Sequence, residues 1–224
     1  MEKTYHITNK DLEDAEQIVK NHPKYGREAE LIEKAIEQYT ENTDKTTVAM
    51  KICLIDLTNG TNLMRNLGKE GGIYDLAEKI TQVNFDERVK NGDATLINEL
   101  AKWTKEKFDK NLFSFISKYC LYHNVHAHKE DDYVIYDSVL AENLGQYITD
   151  EEFKKITGRN LHKNSIKKCK YNYDYEEYRK IIECIIESNN LNVERVHRKM
   201  DWYIWNKHRP TTQKANKPIE QENS

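Results

Sequence analysis

Residues 112–124 read Leu112-Phe113-Ser114-Phe115-Ile116-Ser117-Lys118-Tyr119-Cys120-Leu121-Tyr122-His123-Asn124, and after a polar loop the chain continues Tyr133-Val134-Ile135-Tyr136-Asp137-Ser138. Apolar side chains at 112, 115, 116, 119 and 120 recur at i, i+3, i+4, i+7 and i+8, which predicts an amphipathic helix with one face in a core. Lys118 projects off that stripe. Asp137 stands just before the helical run Val139, Leu140, Leu144, Tyr147 and Ile148, so it is a natural N-cap. A lysine on one helix and a carboxylate opening the next is a pair that an imine-forming enzyme uses. Taken alone, the same two residues also read as a surface lysine and a capping aspartate.

Outward from this centre the pattern predicts helices. Upstream they are expected at 11–21 (Leu12, Ala15, Ile18 and Val19 inward) and at 28–39 (Leu31, Ile32, Ala35, Ile36 and Tyr39 inward). Residues 46–57, the most apolar stretch, suit a buried helix or a strand, and length and neighbours favour helix. Gly71-Gly72 breaks the chain before a helix at 73–83, and Asp93 caps one carrying Leu96, Ile97, Leu100 and Trp103. Downstream, Thr149-Asp150-Glu151-Glu152 is a capping box. A helix through Tyr175, Tyr178, Ile181, Ile182, Ile185 and Ile186 and a last one at 193–205 (Val196, Met200 and Tyr203 inward) complete the set. The expected fold class is all-α: one domain over 1–206, built of two packed helical subdomains with the site between them, and a disordered tail over 207–224.

Composition agrees with that class. Of 224 residues 38% are hydrophobic and 33% charged, with three prolines and eight glycines, which favours amphipathic helices over sheets. No apolar run approaches the ~18 residues of a membrane span, and the amino terminus lacks a hydrophobic signal region, so a cytoplasmic protein with no membrane partner is expected. Four cysteines without CxxC spacing (Cys53, Cys120, Cys169, Cys184) read as free thiols. The net charge of −3 argues against nonspecific adhesion to nucleic acid over the whole surface. Charge is uneven, however: 154–170 holds seven basic residues and no acid. Lys163, Lys167 and Lys168 within it are candidate contacts to a DNA backbone, or members of a solvated loop.

The wording of residues 114–120 with His123-Asn124, then Ile135-Tyr136-Asp137-Ser138, resembles the 8-oxoguanine-DNA-glycosylase-like proteins, a divergent bacterial branch of the helix-hairpin-helix DNA glycosylases. Two further blocks are similar and in the same order, Leu54-Ile55-Asp56-Leu57-Thr58-Asn59-Gly60-Thr61-Asn62 and Met200-Asp201-Trp202-Tyr203-Ile204-Trp205, so the resemblance spans about 45–206. It implies that Lys118 attacks the sugar and that Asp137 stabilises the charge developing there. It also implies that Thr58, Asn59, Thr61 and Asn62 lie near the DNA and the flipped base, with Ser114 at the hairpin as a further DNA contact. Two departures stand out. Asn111-Leu112-Phe113-Ser114 lacks the glycines of the usual phosphate-binding hairpin, and the segment 125–132 is longer than in relatives.

The chemistry needs particular residues. A glycosylase takes its base out of the stack and stabilises positive charge on the sugar, and a carboxylate at a helix N-terminus suits that second task. A lysine nucleophile must lose its proton, with the help of desolvation among Phe113, Phe115 and Tyr136 or of a neighbouring cation, so Lys118 is expected to be partly buried in the DNA complex. The flipped base needs stacking surfaces, for which Phe113, Tyr136, Trp202 and Trp205 are candidates, with Asp201 as a hydrogen-bond acceptor.

Two other constellations compete. His123, His126 and His128 with Asp131 and Asp132 suggest a divalent-metal hydrolase or nuclease, although His-x-x-His-x-His in a loop fits no site class closely. A noncatalytic DNA-binding helical module would use the basic segment but leave Lys118 and Asp137 unexplained. The expectation is therefore a monomeric, nucleoid-associated DNA glycosylase and abasic-site lyase without metal or cofactor, acting on double-stranded DNA with a flipped base. Its substrate is an oxidised purine such as 8-oxoguanine, or a modified base in phage DNA, which would place the enzyme in anti-phage defence.

Overall fold

In a computed structural model, which describes residues 5–67 and 71–209, all regular structure among the described residues is helical. The elements are α1 (Asn9–Asn21), α2 (Tyr25–Gln38), α3 (Lys45–Asn59), α4 (Leu63–Leu67), α5 (Gly72–Gln82), α6 (Phe85–Lys90) and α7 (Ala94–Phe108). They continue with α8 (Phe113–Ala127), α9 (Ser138–Asn143), α10 (Asp150–Thr157), α11 (Lys168–Asn172), α12 (Tyr175–Ser188) and α13 (Val196–His208). No helix among the described residues is long and apolar enough to cross a membrane.

Local chemistry places the boundaries. Asp44, Asp93 and Asp174 cap α3, α7 and α12 by accepting from the amides of Thr47, Thr95 and Glu177. The Thr149 capping box forms as expected, with both reciprocal bonds to Glu152, and Gly158 (φ 69°) ends α10 in the left-handed region. Residues 45–59 are helix, so the strand alternative for the apolar stretch is excluded. The tail expected from residue 207 does not start there, since Lys207 and His208 are still in α13; residues 210–224 lie outside the described residues.

The core differs from the amphipathic expectation in one respect that matters. Helix α8 is buried nearly all round: eleven of its fifteen residues are inaccessible, and it packs against α2, α3, α6 and α7. Lys118 is one of the few side chains through which this central helix reaches the outside. Elsewhere Ile18, Leu31 and Tyr39, expected inward, are exposed, because Val19, Ile32 and Ile36 carry the buried stripes of α1 and α2. Helix α13 packs along α1 and against α9, which brings the end of the chain back to its beginning.

Candidate active site

A stretch without secondary structure fixes the first carboxylate. Residues 131–137 form no helix or strand; side chains satisfy much of their backbone instead. The Tyr175 hydroxyl accepts from Val134 N and donates to Val134 O, each at 2.7 Å, and Tyr178 donates to Ile135 O at 2.8 Å. Tyr136 N donates to Ser117 Oγ at 3.0 Å, which ties the segment to the first turns of α8. Asp137 then caps α9 as expected, its Oδ1 accepting from Leu140 N at 2.9 Å.

Lys118 and Asp137 open onto one cleft of about 360 Å³. Asp201, Trp202 and Trp205 of α13 line it from another side, as do Thr58 and Asn59 at the end of α3 and Tyr25 of α2. Lys118 is half-buried, and among the described residues none forms a hydrogen bond or ion pair with its amine. Asp201 is buried and its Oδ2 lies 2.7 Å from Arg198 Nη1. Burial, with Asp137 adding to it, lifts the Asp201 carboxyl to about 6 against the pull of Arg198 and Lys118.

The aromatic walls carry cations. The Arg198 guanidinium lies 4.9 Å from the Tyr122 ring centroid and 4.7 Å from that of Trp202. It also donates to the Tyr122 hydroxyl at 3.3 Å, which in turn donates to Asn59 Oδ1 at 2.9 Å. Arg209 covers Tyr25 and Trp205 in the same way, at 5.0 and 4.6 Å, and those two rings meet edge-on at 5.2 Å. The sequence reading missed Tyr122, Arg198, Tyr25 and Arg209. Helical spacing marks the first two, since Tyr122 follows Lys118 by one turn and Arg198 precedes Asp201 and Trp202 by one.

Several expected site residues are elsewhere. Phe113 is fully buried and meets Tyr136 edge-on at 5.1 Å, so both rings belong to the core and neither lines the cleft. Thr58 and Asn59 reach the cleft, but Thr58 Oγ1 donates back to Leu54 O at 2.8 Å and Asn59 donates to Ile55 O at 3.1 Å. Thr61 braces the following turn through Asp56 Oδ1 at 2.5 Å, and the exposed Asn62 (φ 59°) bonds Gly60 O. Neither lines the cleft. Ser114 is half-buried one turn before Lys118, and its carbonyl accepts from Ser117.

The basic segment does not join this site. Lys163 and Lys167 line a separate cavity of about 770 Å³, Lys167 pairs with Glu142 at 2.7 Å, and Lys168 is exposed at the start of α11.

The metal constellation does not assemble. His123 and His126 are helical rather than in a loop, and His123 is fully buried with Nδ1 on Tyr119 O. The Asp131 carboxylate accepts from His197 N and that of Asp132 from Asn124 Nδ2. Among the described residues no three His, Cys, Asp or Glu side chains gather as metal ligands.

The hairpin before Lys118 has its own chemistry. Helices α7 and α8 pack together across a four-residue turn, 109–112, in which Asp109 (φ 55°) takes the left-handed position that often needs glycine. Leu112 N donates to Thr104 Oγ1 and Phe113 N to Asn111 Oδ1, so two amides at the mouth of α8 are used internally.

Residues 8–132 match the HI_0787_N family, described as an N-terminal domain, over more than half of the chain. The chain belongs to the HI_0787_N family. An uncharacterized protein of Haemophilus influenzae is 28% identical over 122 residues, which cover 54% of this chain and 49% of that protein. The chain thus spans about half the length of the curated relative it matches. No solved structure matches. The HI_0787_N segment supplies Tyr25, Thr58, Asn59, Lys118 and Tyr122 to the cleft, whereas Asp137, Arg198, Asp201, Trp202 and Trp205 come from beyond it.

Proposed function

We propose that this protein is a DNA glycosylase with abasic-site lyase activity, in which Lys118 is the nucleophile and Asp137 the charge-stabilising partner. One observation carries the reading: the amine and the carboxylate, held on different helices, open onto the same cleft as Asp201, Trp202 and Trp205. The α7–turn–α8 unit is read as the helix-hairpin-helix of that superfamily, with Asp109 in place of a hairpin glycine. Its phosphate grip is correspondingly reduced, because amides that would meet a phosphate are bonded internally.

The neutral Lys118 amine attacks C1′ of the deoxyribose as the bond to the base breaks, and the electron pair leaves with the base, which gains a proton. Asp137 faces the positive charge that builds on the sugar. Loss of a proton and ring opening leave a Schiff base on Lys118, from which elimination cuts the strand. The flipped base stacks on the α13 tryptophans and donates a hydrogen bond to Asp201. It is a damaged or modified base: an oxidised purine such as 8-oxoguanine, or a modified base in phage DNA.

Borohydride trapping on duplexes carrying an abasic site or a modified base tests this. The wild-type protein is expected to give a covalent adduct that Lys118→Gln loses. An adduct that survives in Lys118→Gln, or no adduct on any duplex including the abasic one, overturns the assignment.

A further inference from the structure

Taking a base out of a duplex leaves a gap in the stack, and an apolar side chain is the group that gains most by filling it. The mouth of the cleft carries one: Leu57, in the last turn of α3. At 80% exposure it is the most exposed large apolar side chain among the described residues. Single apolar side chains are common on protein surfaces, and Ile18, Leu31, Met50 and Tyr171 are others here. None of those four lines the cleft.

The turn holds Leu57 out firmly. Asp56 Oδ1 accepts from Leu63 N at 2.7 Å and from the Thr61 hydroxyl. Thr58 Oγ1 donates back to Leu54 O at 2.8 Å, and Asn59 donates to Ile55 O at 3.1 Å while accepting from the Tyr122 hydroxyl at 2.9 Å. The polar side chains on both sides of Leu57 are thus bonded within the protein, and the leucine alone is left facing water. Gly60 (φ 60°) then ends α3, and a Cβ built there would meet nothing within 4 Å, so the tip of the helix is open to an approaching surface. Exposed Lys24 and Arg209 line the same cleft, where they can meet phosphates beside a displaced nucleotide; the half-buried Glu28 lies 3.9 Å from Lys24.

We infer that Leu57 enters the duplex at the place the base has left and fills the gap between the neighbouring base pairs. This role rests on the glycosylase reading above and adds a positioning residue to it: Leu57 touches the stack, while Lys118 and Asp137 act on the sugar inside the cleft. By occupying the vacated place it keeps the base from returning, and moving its side chain from water to a position between bases favours the opened duplex by about tenfold. A single strand has no closed stack to fill, so the same side chain contributes little there.

The test uses the full chain, with Leu57→Ala and Leu57→Met as variants; because the side chain is exposed, both are expected to melt with the wild type. Borohydride trapping of the wild type on an abasic duplex reports on Lys118 chemistry. Fluorescence anisotropy then measures binding to tetrahydrofuran, an uncleavable abasic analogue, placed in a duplex and in a single strand. The expected result is trapping by the wild type, duplex binding weakened about tenfold in Leu57→Ala and kept in Leu57→Met, and single-strand binding unchanged in both. With trapping intact, duplex binding by Leu57→Ala equal to that of the wild type, or a loss of the same size on the single strand, overturns the role of Leu57 and leaves the glycosylase reading standing. No trapping on the abasic duplex sinks both.

Discussion

The hydroxyl of Tyr175 closes both backbone hydrogen bonds of Val134, accepting from its N–H and donating to its C=O, each at 2.7 Å. A single side chain thereby does what a neighbouring strand would do in a sheet, and it sets where the chain delivers Asp137. Tyr175→Phe strands two buried backbone groups and is expected to lower unfolding free energy by about 2–4 kcal/mol. Urea denaturation measures this, and a loss under half a kcal/mol would mean that the segment finds other partners.

Asp137 caps α9, and under the proposed glycosylase reading it also faces the charge on the sugar; one substitution separates the two. Asparagine caps helices as well as aspartate, so Asp137→Asn is expected to keep stability within about 0.5 kcal/mol. Without the negative charge, excision is expected to slow by about 10²–10³-fold. Single-turnover rates and melting temperatures taken on the same samples check both halves.

Under the proposed function, Asp201 should give the reaction a pH dependence. Its carboxyl is raised to about 6, so its accepting form fills as pH rises through that value and empties below it. Excision should therefore fall on the acid side of about pH 6, and Asp201→Asn should flatten that limb. Because Arg198 pulls the Asp201 carboxyl down, Arg198→Ala should move the limb to higher pH. A limb that stays in place would assign the titration to another group.

His197 predicts a stability change of the opposite kind. It is buried; burial alone would lower it, but the Asp131 and Glu183 carboxylates beside its ring nitrogens push it up to about 10. A group raised on folding stabilises fully below its unfolded value, near 6.5, and that stabilisation is lost as pH rises through the folded value. Unfolding free energy should thus decline between about pH 6.5 and 10, and His197→Gln should remove most of that slope in urea titrations. The contact joins the segment after α8 to α12 and α13, so the variant should also be less stable at neutral pH.

Much of the fold and part of the site were legible in the chain by itself. The helices at 94–108, 150–157 and 175–188 follow from period and caps that act within a few residues, and the capping roles of Asp93, Asp137 and Thr149 are local for the same reason. That Lys118 leaves the buried stripe of its helix is also a local fact, fixed by the turn angle. What the residues around it do was not local. Phe113 and Tyr136 have the letters of a base pocket but sit in the core, because α8 is enclosed on almost every side, by the neighbouring α6 and α7 and by α2 and α3 from far upstream. His123, His126 and His128 are close in sequence and still form no ligand set, since His123 is turned into the core with Nδ1 on Tyr119 O and His128 lies past the end of the helix. The packing of α13 onto α1 and α9 carries Arg198, Asp201 and Trp202 to the cleft of Lys118, and contacts across that span come from tertiary burial rather than from any pattern along the chain.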